Sequence, residues 1–123
     1  MTKHILLIDD DQDIRDVAQL ALQKFSKWQV VVAASGLEGL DYAKTQAFDA
    51  ILLDVSMPDM DGFSVFEHLQ ADPDTQAIPV VLLTAKVLPS YRRRFAEMGV
   101  SGVISKPFNP VSVGNQVAQL LNW

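Results

Sequence analysis

Three carboxylates in this chain stand where a carboxylate is costly. Asp54 closes the apolar run Ala50-Ile51-Leu52-Leu53, and Asp9 and Asp10 close a second, Ile5-Leu6-Leu7-Ile8. Desolvating an ionised carboxylate costs several kcal/mol, so one that closes a buried strand usually sits there for a purpose. Two further strand-like runs end in groups that complement acids: Thr84 after Val80-Val81-Leu82-Leu83, and Lys106 after Gly102-Val103-Ile104-Ser105. Gathered at one mouth, the carboxylates raise one another's pKa unless a cation sits among them. They are hard oxygen donors with no sulfur or histidine beside them, which favours Mg²⁺ over Zn²⁺. Mg²⁺ in turn favours phosphate oxygens. Lys106 and Thr84 then offer a cation and a hydroxyl to a phosphoryl group, whose transfer needs mostly positioning and charge neutralisation. One carboxylate must act as nucleophile and form an acyl phosphate. Asp54 is the candidate, because it stands alone while Asp9-Asp10 forms a pair suited to the metal.

Convergence of these residues requires a particular arrangement of elements. Short apolar runs at 5–9, 28–33, 50–54, 80–84 and 102–106 alternate with helix-period stripes, about every twenty residues. The stripes are Ile14, Val17, Ala18, Ala21 and Phe25; Leu37, Leu40, Ala43 and Ala47; Phe63, Phe66 and Leu69; Leu88, Tyr91, Phe95 and Met98; and Val113, Val117, Leu120 and Leu121. Boundary signals agree. Ser35-Gly36-Leu37-Glu38 reads as a capping box, Asp11 and Asp61-Gly62 as helix starts, and Gly99 as a helix stop. Asn109-Pro110 predicts a cap followed by proline at the first helical position. Five β-then-α units imply right-handed crossovers and a doubly wound parallel sheet with helices on both faces. In such α/β sheets ligands bind beyond the carboxyl ends of the strands, where Asp9, Asp10, Asp54, Thr84 and Lys106 all lie.

Composition narrows the functional classes. The 123 residues fit one domain, 1–123, with no internal repeat or linker. Hydrophobic residues make up 49% and charged residues 20%, a globular composition. No apolar run approaches the ~20 residues needed to span a bilayer, so no membrane partner is expected. The absence of cysteine excludes disulfides and thiolate metal sites and is compatible with the cytoplasm. A net charge of -5 argues against direct nucleic-acid binding.

The chain resembles, over its whole length, the receiver domains of two-component response regulators. The resemblance rests on Ile8-Asp9-Asp10, on Asp54 with Met57-Pro58 and Asp61-Gly62, on Thr84-Ala85, and on Lys106-Pro107-Phe108. It implies a flavodoxin-like (βα)5 fold with strand order 2-1-3-4-5. It also implies that Asp54 accepts a phosphoryl group from a histidine kinase or a histidine phosphotransfer protein. Asp10 would then ligate Mg²⁺ directly, Asp9 largely through water, and Ser56 through its backbone carbonyl. Thr84 and the amide of Ala85 would bind phosphoryl oxygens, Lys106 would pair with the group, and Lys106-Pro107 would be cis. The output would be binding of a downstream protein target, with no catalysis beyond the chain's own phosphorylation and dephosphorylation. The run from Met1 to Trp123 suggests a stand-alone regulator. Receivers often carry an aromatic three positions before the lysine, and here that position is Val103. The expectation is that Thr84 and the loop 85–88 move without it, Val103 filling space.

Blander readings apply elsewhere. Arg92-Arg93-Arg94 is a solvated helix face slightly before it is a partner patch. Tyr91, Phe95 and Met98 read as core, His4 as a strand-start residue, His68 as a helix-surface residue, and Trp28 as packing where the second strand starts. Two other functions compete. An aspartyl-phosphate hydrolase would want a second aspartate two residues beyond Asp54, where Ser56 stands. A non-phosphorylated adaptor would not need the full acid–Thr–Lys set, and a flavodoxin-like cofactor binder would want a hydroxyl- and glycine-rich loop after the first strand, where Asp10-Asp11-Gln12-Asp13 stands.

Overall fold

The computed structural model describes residues 2–86 and 88–123. Its elements run β1 (His4–Ile8), α1 (Gln12–Phe25), β2 (Gln29–Ala33), α2 (Gly36–Thr45), β3 (Ala50–Asp54), α3 (Gly62–Ala71), β4 (Val80–Thr84), α4 (Pro89–Met98), β5 (Gly102–Ser105) and α5 (Val113–Leu120). The strands form one parallel sheet in the order β2-β1-β3-β4-β5. The expected flavodoxin-like topology is therefore present.

Strand alternation divides the core in two. Leu6, Ile8, Ile51, Leu53 and Leu82 pack with Leu40 of α2, with Phe63, Phe66 and Leu69 of α3, and with Phe95 of α4. Ile5, Leu7, Leu52, Leu83 and Ile104 pack on the other face with Ala18, Ala21 and Leu22 of α1 and Val113 and Val117 of α5. The central strands are apolar on both faces because both are covered. All five residues of β3 and of β4 are buried, Asp54 and Thr84 included.

Helix starts follow the local chemistry. Asp11 caps α1, accepting from the amides of Asp13 and Ile14. Ser35 caps α2, accepting from Glu38 at 3.2 Å, and Asp61 caps α3, accepting from Ser64 at 2.9 Å. Gly99 ends α4 with φ +82°, a left-handed position that glycine adopts without penalty.

Several sequence expectations are corrected. The carboxamide of Asn109 accepts from Val111 and the backbone turns once before α5 begins at Val113, so Pro110 is not its first residue. Within α1 the buried stripe is Ala18, Ala21 and Leu22, while Val17 and Phe25 face solvent. Leu37, Ala47, Leu88 and Leu120 are likewise exposed. A single exposed apolar side chain costs little, so apolar periodicity marks a face only approximately.

Candidate functional site

Three strands place the site at the carboxyl edge of the sheet. β1 and β3 are adjacent, so their ends bring Asp9 and Asp54 together, and the chain leaving β5 adds Lys106. Asp9 is fully buried and held from every side. Its amide donates to the carbonyl of Ala33 at 3.1 Å. Its Oδ1 accepts from the amide of Asp11 at 3.0 Å and its Oδ2 from Lys106 Nζ at 2.7 Å. Asp54 is 4% exposed; its Oδ1 lies 3.1 Å from Lys106 Nζ and accepts from the amide of Ser56 at 3.3 Å. Lys106 is fixed in turn by its own amide, which donates to the carbonyl of Thr84 at 2.8 Å, and Lys106-Pro107 is cis.

Electrostatics follow from this packing. Burial, then the neighbouring charge of Asp9, pushes the Asp54 carboxyl up to about 6, against the pull of Lys106 and the Ser56 amide. For Lys106, burial pulls the ammonium down, but its bond to Asp9 and the charges of Asp54 and Asp9 outweigh it, and the net direction is up. The lysine is thus a firmly protonated cation between two carboxylates.

A crevice of about 230 Å³ opens here, lined by Asp9, Asp10, Asp11, Asp54, Ser56 and Lys106, and also by Ala85. Carboxylate oxygens of Asp9, Asp10 and Asp54 lie within 4.8 Å of one another. Asp10 is exposed while the other two are buried, so the cluster is fixed at its base and open at its rim. The donors fit a hard divalent cation such as Mg²⁺, which takes carboxylate oxygens and retains water.

Of the residues expected at the site, the structure gathers Asp9, Asp10, Asp54, Ser56, Ala85 and Lys106. Thr84 stands apart. In β4, Val81 and Leu83 share the α1/α5 face, whereas Val80 and Leu82 share the other, and Thr84 continues their alternation. Its Oγ1 accepts from the amide of Lys86 at 2.9 Å. The loop 85–88 expected to move includes Val87, which lies outside the described residues.

Some neighbours were not anticipated. Arg15 donates from Nη1 to the carbonyl of Asp9 at 2.9 Å; its spacing from the Asp11 cap is the only trace in the sequence. Arg94 stacks over Phe63, 3.5 Å from the ring centroid, while Arg92 and Arg93 are exposed, as a solvated face requires. Val103 does not fill space: it is 39% exposed and walls a groove of about 340 Å³ with Phe95, Ala96 and Val100. His4 starts β1, its Nδ1 2.8 Å from the carbonyl of Ala47, and His68 is exposed on α3. Trp28 packs edge-on against Trp123 with centroids 5.2 Å apart.

Known proteins share this arrangement. The family model described as response regulator receiver domain matches residues 5–118. Response regulator Rre1 of Synechocystis sp. is 32% identical over 117 residues, covering 95% of this chain and 51% of Rre1. The transcriptional regulatory protein PhoP of Bacillus subtilis, which acts in alkaline phosphatase synthesis, is 34% identical, covering 98% of this chain and 49% of PhoP. The chain spans about half the length of the curated relatives it matches. Chemotaxis protein CheY4 of Vibrio cholerae superposes with a TM-score of 0.90 at 29% identity, covering 98% of this chain and 99% of CheY4. The receiver domain of the sensor histidine kinase PA1611 of Pseudomonas aeruginosa, with a magnesium ion coordinated in its active site cleft, superposes with a TM-score of 0.87 at 25% identity over 100% of both chains. With the sheet order, the acidic crevice and the family match in agreement, the chain belongs to the response regulator receiver domains of two-component signalling.

Proposed function

We propose that Asp54 is the phosphoacceptor of this receiver, that Asp10, Asp9, Asp54 and the backbone carbonyl of Ser56 hold Mg²⁺, and that the phosphoryl donor is a phosphohistidine. One observation carries the reading: a single ammonium, Lys106, bridges the buried carboxylates of Asp9 and Asp54 inside a three-carboxylate cluster. A carboxylate oxygen of Asp54 attacks phosphorus, the P–N bond to the donor imidazole breaks, and the ring nitrogen keeps the electron pair. Bound Mg²⁺ would neutralise phosphoryl oxygens and carboxylates. Lys106, already within reach of Asp54, pairs with the charge added to it. Thr84 and the amide of Ala85 supply neutral donors to the remaining oxygens. For Thr84 this requires its Oγ1 to turn from the amide of Lys86, and that displacement shifts an equilibrium between two conformations.

The proposed donor is a histidine kinase or a histidine phosphotransfer protein, and the proposed output is a downstream protein target, in the cytoplasm. Residues 1–123 act as one receiver unit whose catalysis is limited to its own phosphorylation and dephosphorylation. Ser56, where a hydrolase of this chemistry would carry a second aspartate, supports that limit. Among the described residues no helix is long and apolar enough to cross a membrane. The decisive experiment is incubation with acetyl phosphate and Mg²⁺, read by intact mass. One phosphoryl group on the native chain and none on Asp54→Asn is expected; stoichiometric labelling of Asp54→Asn would overturn the assignment.

A further inference from the structure

Arg15 sits one helical turn beyond Asp11, at the start of α1, in the most acidic stretch of the chain, with Asp9, Asp10, Asp11, Asp13 and Asp16 around it. A guanidinium there would be expected to pair with a carboxylate. Among the described residues it pairs with none within 4.0 Å. It instead donates from Nη1 to the backbone carbonyl of Asp9 at 2.9 Å, and its amide donates to the carbonyl of Asp11 at 3.0 Å. The two bonds straddle Asp10. With the Asp9 carboxylate accepting from the amide of Asp11, they close a ring of contacts around the turn that presents the acidic pair.

From this geometry we infer that Arg15 is a positioning residue for the metal site, clamping the Asp9-Asp10 turn in its ligating shape through the Asp9 carbonyl. The inference rests on the proposed Mg²⁺ site. Groups bonded to metal ligands set ligand orientation, and losing one typically weakens affinity roughly 10–100-fold. A purely electrostatic arginine acts with the opposite sign. Removing a positive charge beside three carboxylates would tighten binding of a cation, so the sign of the effect separates the two roles.

The test is calorimetric titration of the whole chain with MgCl₂ alone, for the native protein, Arg15→Met, Arg15→Lys and Asp10→Asn, at low and at high salt. Expected are binding by the native chain, loss of it in Asp10→Asn, and about tenfold weaker binding in Arg15→Met. The deficit should persist at high salt, which screens charge but not orientation. Arg15→Lys keeps the charge but lacks the planar donor fork, so it should recover only part of the affinity. It is read in the same way should Arg15→Met fail to fold. Native or tighter affinity in the arginine variants, with Asp10→Asn still defective, overturns the inference and leaves the metal site standing. Absence of binding by the native chain, or native binding by Asp10→Asn, overturns the metal site and the inference with it.

Discussion

The ammonium of Lys106 lies 2.7 Å from the fully buried carboxylate of Asp9, closer than to the proposed nucleophile, Asp54, at 3.1 Å. Asp9 has two anchored oxygens, one on Lys106 and one on the Asp11 amide, whereas only one oxygen of Asp54 has a bonding partner. Both carboxylates share the ammonium, but Asp9 is anchored at both oxygens while Asp54 keeps one oxygen unbonded and has its pKa raised. That inequality, from packing alone, matches the different roles proposed for the two carboxylates.

The first consequence concerns stability against pH. The Asp54 carboxyl is pushed from 3.8 up to about 6, so the folded chain binds this proton more tightly than the unfolded chain does. Its contribution to stability is fully present below about pH 4 and is lost as pH climbs through about 6. At roughly 1.4 kcal/mol per pKa unit, ionised Asp54 costs the fold up to about 3 kcal/mol near pH 7.5. Asp54→Asn should therefore unfold at higher urea than the native chain at pH 7.5, with the gap narrowing toward pH 4. Equal midpoints at pH 7.5 would contradict the cost of burying the ionised Asp54 carboxylate.

Lys106 competes with any divalent cation for the same oxygens. Lys106→Met should bind Mg²⁺ more tightly than the native chain, by roughly fivefold for an ion pair worth about 1 kcal/mol. Phosphorylation of Asp54 should nevertheless slow, because the cation that meets the new charge is gone. Calorimetry and acetyl-phosphate labelling read the two effects separately. Weaker Mg²⁺ binding in the variant would show that the lysine organises the carboxylates instead of competing for them.

Gly62 illustrates how the backbone supports the nucleophile. A Cβ there would sit 2.5 Å from the carbonyl oxygen of Asp54 and 2.8 Å from the Cα of Val55, and neither is a side chain that can swing away. The same glycine donates its amide to the carbonyl of Val55 at 2.9 Å. Gly62→Ala should destabilise the fold by about 1–3 kcal/mol and slow labelling of Asp54, because β3's end must move. At Gly99 nothing lies within 4 Å and only the left-handed φ matters. Gly99→Ala should cost about 1 kcal/mol and leave labelling unchanged. Denaturation curves paired with labelling rates test the contrast.

The sheet and the acid–lysine cluster were legible because both are written in local patterns. Ala50–Asp54 and Val80–Thr84 end where their apolar runs end, since a polar side chain at the last strand residue is also the mouth of the site. Helix faces were less legible. Leu22 is buried and Phe25 exposed, although both fit an apolar stripe, because coverage by α5 decides the matter and periodicity does not report it. Thr84 ends β4 at the same edge of the sheet, but its Oγ1 accepts from the amide of Lys86 and it does not line the crevice, a local bond that strand position does not report. The role of Arg15 is not legible in the sequence, because a bond from a side chain to a backbone carbonyl leaves no signature in residue type.

Val103 decides how the remaining surface behaves. It walls a groove with Phe95, Ala96 and Val100, with Lys86 and Arg92 also in the lining, and is itself 39% exposed. The groove, about 340 Å³, has room for an aromatic ring. Val103→Phe should bury roughly 50 Å² more apolar surface and stabilise the chain by about 1 kcal/mol. The crevice around Asp54 is lined by other residues, so Mg²⁺ affinity and the labelling rate should stay as they are. Urea denaturation and titration of Val103→Phe check both points. A loss of stability would mean that the groove cannot take the ring without strain, and a changed labelling rate would show that this wall is coupled to Asp54.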